Sequence, residues 1–364
     1  MMQETTQRKL KAAIAIVGVS LGVGFSGRAL GQSAVTLYGI VDQSLRFTNN
    51  SNAQNRNQVL LINGVITNSR WGLKGEEDLG DSLSVLFRLE SGFEPQSGEV
   101  DMNRLFGRYA YVGLSGRLGT LTLGRQGTEA FNLFGDFDAL TVGNYTANSW
   151  PFFMTIGRID NAAAYAGQFG GLHLGATYGF GQQPGSLSQN AYWGVRVSCD
   201  LGLASFGGTF QERRDRANNV QRMWGVGGKY AWGAATVFAG YMGGRDATGF
   251  VDAALNDPSR TVATGSFAQN PRRDATLYTG VQFQATPALL FTGAFYYDDM
   301  NNVNGFAGND GKRYTGVLLA EYALSKRSQV YATVDYNKVS DGAHTELPGK
   351  SNQFGVGAGM RHLF

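Results

Sequence analysis

The chain has 364 residues, 52 of them glycine and 7 proline, with 12% aromatic and 16% charged residues and a formal net charge of +3. The low charged fraction and a glycine content about twice the usual share favour strands and turns over helices. The single cysteine, Cys199, excludes an intrachain disulfide and a thiolate metal cluster.

The first predicted element is a cleaved secretory signal peptide at residues 1–31. Arg8, Lys9 and Lys11 form a basic start, residues 12–25 are apolar, Gly or Ser, and small residues suited to cleavage follow at 29–31. These 14 residues fall short of the roughly 20 that a membrane-spanning helix needs. Removal of residues 1–31 leaves 27 basic and 27 acidic residues, so the remaining chain is neutral and no nucleic-acid partner is expected.

From residue 34 onward, apolar and polar residues alternate with a period of two in segments of about ten residues. Trp71 and Leu73, for example, alternate with Arg70, Gly72 and Lys74. Such alternation predicts β-strands with two different faces. Sixteen strands are expected, at 35–47, 69–79, 82–93, 104–115, 119–125, 159–168, 171–180, 191–200, 203–212, 221–232, 234–243, 273–285, 288–299, 312–324, 328–338 and 352–364.

Short connections alternate with longer polar ones along this series, which is typical of an outer-membrane β-barrel. Strands of about 9–11 residues also have the length needed to cross a bilayer at a tilt. An open sheet edge would leave backbone amides unsatisfied in lipid, so the last strand should pair with the first. A secreted sandwich or propeller is the soluble alternative, because period two alone does not say which face meets the core.

Several blocks resemble the trimeric general-diffusion porins of Gram-negative bacteria, closest to the β-proteobacterial and neisserial type. They are "SAVTLYGIVDQSL", "SRWGLKGEEDLG", "GRYAYVGLSGRLGTLTLGRQ" and the final "GVGAGMRHLF". The resemblance implies an all-β fold, a 16-stranded antiparallel transmembrane barrel, with residues 32–364 as one domain. It also implies a homotrimer in the outer membrane, reached through the periplasm, and a constriction loop folded into the lumen.

Residues 126–158 are the predicted constriction loop. They carry seven aromatic or large apolar residues, for which a solvated loop has no physical reason: Phe131, Leu133, Phe134, Phe137, Trp150, Phe152 and Phe153. Packing against the inner wall would bury them at about 25 cal/mol per Å² of apolar surface.

Charged residues of the pore constriction follow from the resemblance. Arg70, Arg125 and Arg158 match wall arginines of the family, and Arg108 is a weaker match. Alternation independently places Arg70 and Lys74 opposite Trp71 and Leu73, and therefore inward. Arg108 and Arg125 share parity with apolar residues, so Arg125 needs a register change at its strand end to point inward.

The loop residues Asp136 and Asp138 are the candidate acidic partners of these arginines. The acidic motif of the enteric relatives is absent from "FGDFDAL", so which carboxylate faces the arginines stays open. Each arginine also has a simpler interpretation, in which it pairs with a carboxylate on a neighbouring strand and only supports the wall.

These features predict a water-filled channel for passive diffusion of ions and small hydrophilic solutes, with weak to moderate anion preference. A substrate-specific channel is the main alternative, and a barrel enzyme or adhesin is a weaker one. Only His173, His344 and His362 could serve as catalytic bases, and no nucleophile or metal-ligand motif accompanies them. No enzymatic activity, metal or cofactor is expected.

The last residue, Phe364, ends an alternating apolar stripe and fits an aromatic girdle position. The resemblance implies that it is also the signal read by the β-barrel assembly machinery. The other expected partners are outer-membrane lipid, lipopolysaccharide, and small ions and solutes.

Overall fold

The computed structural model describes residues 34–142 and 149–364 of the chain. The predicted signal peptide lies outside the described residues. Within the described residues, no helix is long and apolar enough to cross a membrane.

Strands make up most of the described chain, with two short helices and four 3₁₀ turns in the connections. The strands are β1 Ala34–Thr48, β2 Gln58–Asn63, β3 Arg70–Gly80, β4 Leu83–Gly92, β5 Tyr109–Gly116, β6 Gly119–Gly127, β7 Arg158–Phe169, β8 Leu172–Gly179, β9 Tyr192–Leu201, β10 Ala204–Arg214, β11 Val220–Trp232, β12 Ala235–Asp246, β13 Arg272–Thr286, β14 Leu289–Asn301, β15 Gly311–Ala323, β16 Ser328–Asp341 and β17 Asn352–Leu363. The helices are α1 Glu129–Phe137 and α2 Phe250–Leu255, and the 3₁₀ turns are Asp101–Asn103, Trp150–Thr155, Val303–Gly305 and Gly342–Glu346.

The sheet closes on itself. From β3 to β17, consecutive strands pair antiparallel, and β1 pairs with β17 from Ile40 opposite Leu363 to Thr48 opposite Gly355. On its other side β1 pairs first with β3 and then with β2, so the seventeen strands occupy sixteen positions. The predicted sixteen-stranded antiparallel barrel is confirmed.

Strand β2 was not predicted from the sequence. Its "QVLLIN" segment lies inside what the alternation indicates as one long loop, and it pairs with the second half of β1. Between β2 and β3 the chain turns into the barrel: the amide of Gly64 donates to the Asp42 carbonyl, and Val65 is buried. Gly64 has no space for a side chain, because a Cβ there would lie 2.1 Å from the Asp42 side chain. This turn interrupts the alternation.

The apolar face of each strand points out of the barrel. On β13, Leu277 is 54% exposed whereas its neighbour Tyr278 is 4% exposed and faces the interior. On β17, Phe354, Val356 and Met360 are likewise exposed, opposite inward glycines. A soluble sandwich would bury this stripe, so the exposed apolar band fits a lipid environment.

Two ends of the barrel differ in their connections. Seven turns of two to four residues join strands at one end, as at 81–82 and 324–327, and the longer loops lie at the other. In transmembrane barrels of this kind the short turns are periplasmic and the long loops extracellular. These two ends are called the turn rim and the loop rim below.

The connection between β6 and β7 folds into the barrel and packs on its inner wall. Helix α1 begins after Thr128, whose hydroxyl accepts from the Phe131 amide and donates to the Thr155 carbonyl at 2.7 Å. Helix α1 contacts β8 to β12. Further along the segment, Trp150 donates its indole N–H to Thr315 on β15 at 2.8 Å.

Four buried aromatic side chains of this segment belong to the interior apolar cluster: Phe134, Phe137, Trp150 and Phe152. Phe134 and Leu133 are fully buried, and the Phe134 ring meets Tyr278 edge-on at 6.0 Å. Phe152 packs against Tyr296 of β14 with ring centroids 6.2 Å apart. Burial of these rings holds the segment against the wall formed by β8 to β15, opposite the wall formed by β3 to β7.

Candidate channel constriction

Three arginines gather around one buried carboxylate on the wall formed by β3 to β5, and a fourth lies beside them. Glu90 of β4 is fully buried and accepts from Tyr38 at 2.7 Å, Arg88 at 2.5 Å and Arg108 at 2.6 Å. Arg70 on β3 lies 3.9 Å from the same carboxylate. Pairing with several cations is what makes a buried carboxylate tolerable.

Arg158, the fourth arginine, joins this group through backbone and aromatic contacts. Its Nε donates to the Arg108 carbonyl at 3.1 Å. Its guanidinium lies 5.8 Å from the Tyr109 ring and 5.2 Å from the Phe131 ring of the inward segment. The Arg88 guanidinium is closer still to Tyr109, at 4.0 Å. We call Arg70, Arg88, Arg108, Arg158 and Glu90 the arginine cluster.

Arg108 reaches the cluster because its strand begins later than the alternation indicates. The ladder of β5 starts at Tyr109 rather than at residue 104. Arg108 therefore precedes the regular strand, so its side chain need not point to the same face as Val112 and Leu114. Lys74, also predicted, is exposed on the inward face, with its Nζ 5.5 Å from the Tyr38 ring.

Arg125 directs its hydrogen bonds to the Gly107 carbonyl and to Asp160 rather than to Glu90. The pairing of β6 with β7 shifts register at the end of β6, where Gly124 lies opposite Ala162 and Gln126 lies opposite Ile159. The extra residue is in β7, so the alternation of β6 is unchanged and Gln126 points inward. Gln126 is 7% exposed and accepts from Thr122 at 2.6 Å. Arg125 thus keeps the face of Leu121 and Leu123 and pairs with Asp160 at 2.5 Å. This register shift does not turn Arg125 inward, and its role in the constriction stays a prediction.

The two loop aspartates have different surroundings. The Asp136 side chain is 60% exposed, and its carboxylate lies 3.9 Å from Arg196 of β9 rather than near the arginine cluster. Asp138 is only 3% exposed and accepts from Tyr296 at 2.6 Å and from the Val142 amide at 2.7 Å. These described partners of Asp138 lie on β14 and within the segment itself, so its pairing with the wall arginines stays a prediction.

Glu129 at the start of α1 was missed from the sequence. It pairs with Arg196 at 2.7 Å and accepts from Thr177 at 2.6 Å. Burial raises the pKa of Glu129, and the contacts with Thr177 and Arg196 oppose that rise. No sequence signal identifies this pair, because α1 and β9 are brought together only by the inward fold.

Arg88 and Glu90 were also missed as site residues, although a signal for them exists. Both alternate with Phe87 and Leu89 on β4, so the pattern already places them on the inward face. The resemblance to the porin family implied only arginines on other strands. A search for every inward charge near Arg70 would have found them.

The chain resembles known outer-membrane proteins over almost its full length. A family model described as Gram-negative porin matches residues 12–342. An outer membrane porin protein of Bordetella pertussis is 29% identical, with 96% of this chain and 99% of that protein covered. Outer membrane porin protein 32 of Delftia acidovorans is 32% identical over 43% of this chain and 47% of that protein.

Solved structures share the fold. An anion-selective porin from Comamonas acidovorans has a TM-score of 0.73 at 21% identity, covering 92% of this chain and all of that one. A trimer form of OmpT from Vibrio cholerae has a TM-score of 0.65 at 16% identity, covering 91% of this chain and 99% of that one.

Proposed function

This chain belongs to the Gram-negative porin family and is an outer-membrane porin, and we propose that it passes ions and small hydrophilic solutes by diffusion, with a preference for anions. The observation that carries this proposal is the arginine cluster on the wall opposite the inward segment. Three guanidinium groups pair with one carboxylate there, and that of Arg158 lies beside them on the Arg108 carbonyl. The cluster therefore holds a net charge of about +3, with Lys74 close by.

Fixed positive charge in a narrow aqueous passage raises the local concentration of anions and repels cations. Asp136 and the arginine cluster lie on opposite sides, so a transverse field crosses the lumen between the inward segment and the wall. Hydrated solutes tolerate such a field, whereas an apolar solute must displace water that hydrates the fixed charges and offers them no hydrogen bonds in return. The name of the Comamonas relative, an anion-selective porin, agrees with this preference.

Liposome swelling with uncharged sugars of increasing size tests diffusion directly. Rates should fall smoothly with solute size and rise in proportion to concentration. Saturation by one solute would instead favour the alternative, a substrate-specific channel. Catalysis is not proposed. The three histidines lie on β8, on β17 and in the loop after β16, and within the described residues they contact Asp200, Ser328 and a backbone carbonyl.

A homotrimer is the proposed assembly, supported by the trimer form of OmpT. Single insertions into a planar bilayer should close in three equal steps, and native mass spectrometry in detergent should give three copies of the chain. Single-step closure together with a one-chain mass would contradict the trimer.

Phe134→Ala should loosen the inward segment and raise single-channel conductance. The Phe134 ring is fully buried and fills the space above Gly225, where a Cβ would lie 2.6 Å from it. Loss of a buried ring costs about 3–5 kcal/mol. The matched control is Phe295→Ala, which removes a ring from the outward face. Unchanged conductance in Phe134→Ala would remove the segment from the narrowest part of the channel.

Phe364 is proposed to act in assembly as well as in closure. It exchanges two backbone hydrogen bonds with Gly39, at 3.1 and 3.2 Å. Its ring lies over Gly39, where a Cβ would come within 2.3 Å. Deletion of Phe364 should abolish assembly in cells while leaving refolding in detergent near normal. Equal loss in both settings would indicate a role in stability alone.

A further inference from the structure

A polar pocket lies inside the barrel between the loop rim and the arginine cluster. Its volume is about 440 Å³, within the range of small-molecule sites. Strands β1, β2 and β17 form one side of it, and the connections after β4, β12 and β16 form the other. Asn68, which also lines it, lies two residues before Arg70 of the arginine cluster. We call this space the vestibule pocket, and a solute entering from the loop rim reaches it before the arginines.

The β2 side of the vestibule pocket is apolar although it faces the lumen. In the register of β1 with β2, Leu60 lies opposite Arg46 and Ile62 lies opposite Ser44. Directly opposite residues share a face of the sheet, and Arg46 and Ser44 are buried inside the barrel. Leu60 is therefore an inward leucine, and it is 40% exposed. Inward positions of a water-filled barrel are polar, so an exposed leucine there indicates a surface for a bound solute.

Three amide side chains of the vestibule pocket are available to a solute. They belong to Gln58 of β2, to Asn68 and to Gln353 of β17. Within residues 34–142 and 149–364, none of the three makes a hydrogen bond through its side chain. Each amide group has two N–H donors and one carbonyl acceptor. One such amide can therefore bind two neighbouring hydroxyl groups of the same solute.

Two of the four charged residues that line the vestibule pocket are already neutralised. The guanidinium of Arg46 pairs with Asp335 at 2.6 Å. The carboxylate of Glu346 is shared by Arg272 and Arg313, at 2.9 Å each. These ion pairs are buried and belong to the wall, so neither Arg46 nor Glu346 gives the pocket a net charge.

The other two charged residues of the vestibule pocket are the carboxylates Glu94 and Asp257. Neither forms an ion pair with a Lys, Arg or His side chain of residues 34–142 and 149–364. Amides orient the Glu94 carboxylate, since Asn63 donates to it at 3.1 Å and Gln96 at 2.7 Å. Asp257 is held in place by its backbone amide, which donates to the Thr345 carbonyl at 2.9 Å. The pocket therefore has about two uncompensated negative charges.

We propose that the vestibule pocket binds a protonated amino sugar. The ammonium group would pair with Glu94 and Asp257, because hydrogen bonds between two charged groups are the strong ones. Sugar hydroxyls would bind the three amides, and the apolar C–H face of the ring would lie on Leu60 and Ile62. A neutral sugar would leave both carboxylates unpaired, and a simple amine would leave the apolar surface uncovered. The site is separate from the arginine cluster and does not depend on the proposed anion preference.

Saturation-transfer NMR of the purified porin in detergent, titrated with glucosamine, tests this site. At mildly acidic pH the amine is protonated, and the wild type should bind glucosamine more tightly than glucose or N-acetylglucosamine. Glu94→Gln with Asp257→Asn should raise the dissociation constant for glucosamine about ten-fold, since two charged hydrogen bonds are lost. The control is Glu77→Gln with Glu99→Gln, which removes the same charge at exposed positions outside the pocket. The control should bind glucosamine like the wild type.

A second variant, Leu60→Asn, keeps the size of the side chain but removes the apolar surface, and it should also weaken glucosamine binding. Ethanolamine supplies an ammonium group without the ring, and at the same concentration it should not displace glucosamine. Each variant is first shown to be folded by its heat-dependent gel mobility. Absence of binding to the wild type, equal binding by the wild type and both site variants, or an equal loss in the control would overturn the proposal. Glucose bound as tightly as glucosamine, or displacement by ethanolamine, would overturn the amino sugar as occupant.

Discussion

Replacement of Arg70 and Arg158 by serine is expected to lower the ratio of anion to cation permeability about five-fold at low salt. One charge about 8 Å from a passing ion contributes about 0.5 kcal/mol in water, and a Debye length of about 10 Å at 0.1 M salt roughly halves this. Two charges therefore favour an anion by about 0.5 kcal/mol and disfavour a cation by about the same amount, so the ratio changes by about 1 kcal/mol, which is about five-fold. The reversal potential across a salt gradient in a planar bilayer measures this ratio. Neither arginine is the sole partner of Glu90, so the barrel should remain folded.

The control for this double variant is Lys326→Ser with Arg327→Ser, which removes equal charge at the turn rim. Its permeability ratio should change much less, because these side chains lie outside the cluster. At 1 M salt the Debye length is about 3 Å, so the wild type and the double variant should converge. Unchanged ratios at low salt would remove Arg70 and Arg158 from the constriction.

Glu90→Gln is expected to strengthen anion preference and to weaken the barrel at the same time. The substitution removes the carboxylate that Arg88 and Arg108 share at 2.5 and 2.6 Å and leaves their charges uncompensated. Removal of one partner from a buried ion pair costs about 3–5 kcal/mol, and partial hydration of these arginines should bring the loss toward the lower value. The unfolding temperature in detergent and the reversal potential measure the two effects.

Glu321→Gln is the matched control for Glu90→Gln. Glu321 has a single arginine partner, Arg361, at 3.8 Å, so its loss should lower the unfolding temperature much less. A Glu90→Gln protein with wild-type stability would mean that the buried carboxylate does not hold the arginines together. Lower anion preference in that variant would contradict the electrostatic account.

Strand positions were predictable from the sequence because lipid and water impose opposite demands on the two faces of every strand. The period of two therefore extends through β17. Strand β2 escaped prediction because it depends on pairing with β1, and because the chain turns inward at Gly64 immediately afterward. Local alternation cannot reveal such a turn.

The candidate site was predictable only where the side chain lies on a regular strand. Arg70 and Lys74 follow from alternation, and Arg88 and Glu90 carry the same signal. The direction of the Arg108 side chain depends on where the ladder of β5 begins, and that of Arg125 depends on which strand has the bulge. A shift of one residue exchanges the two faces of a strand. Contacts of Asp136, Asp138 and Glu129 depend on how the inward segment packs, which involves strands distant in sequence.

The most direct test of the proposed function is the reversal potential of the purified wild-type protein in a planar bilayer across a KCl gradient. At low salt we expect a reversal potential with the sign that anion preference gives. As salt approaches 1 M, the reversal potential should decline toward the value of an unselective channel, because the net positive charge of the arginine cluster becomes screened. Cation preference, or a selectivity independent of salt, would contradict an arginine-lined constriction.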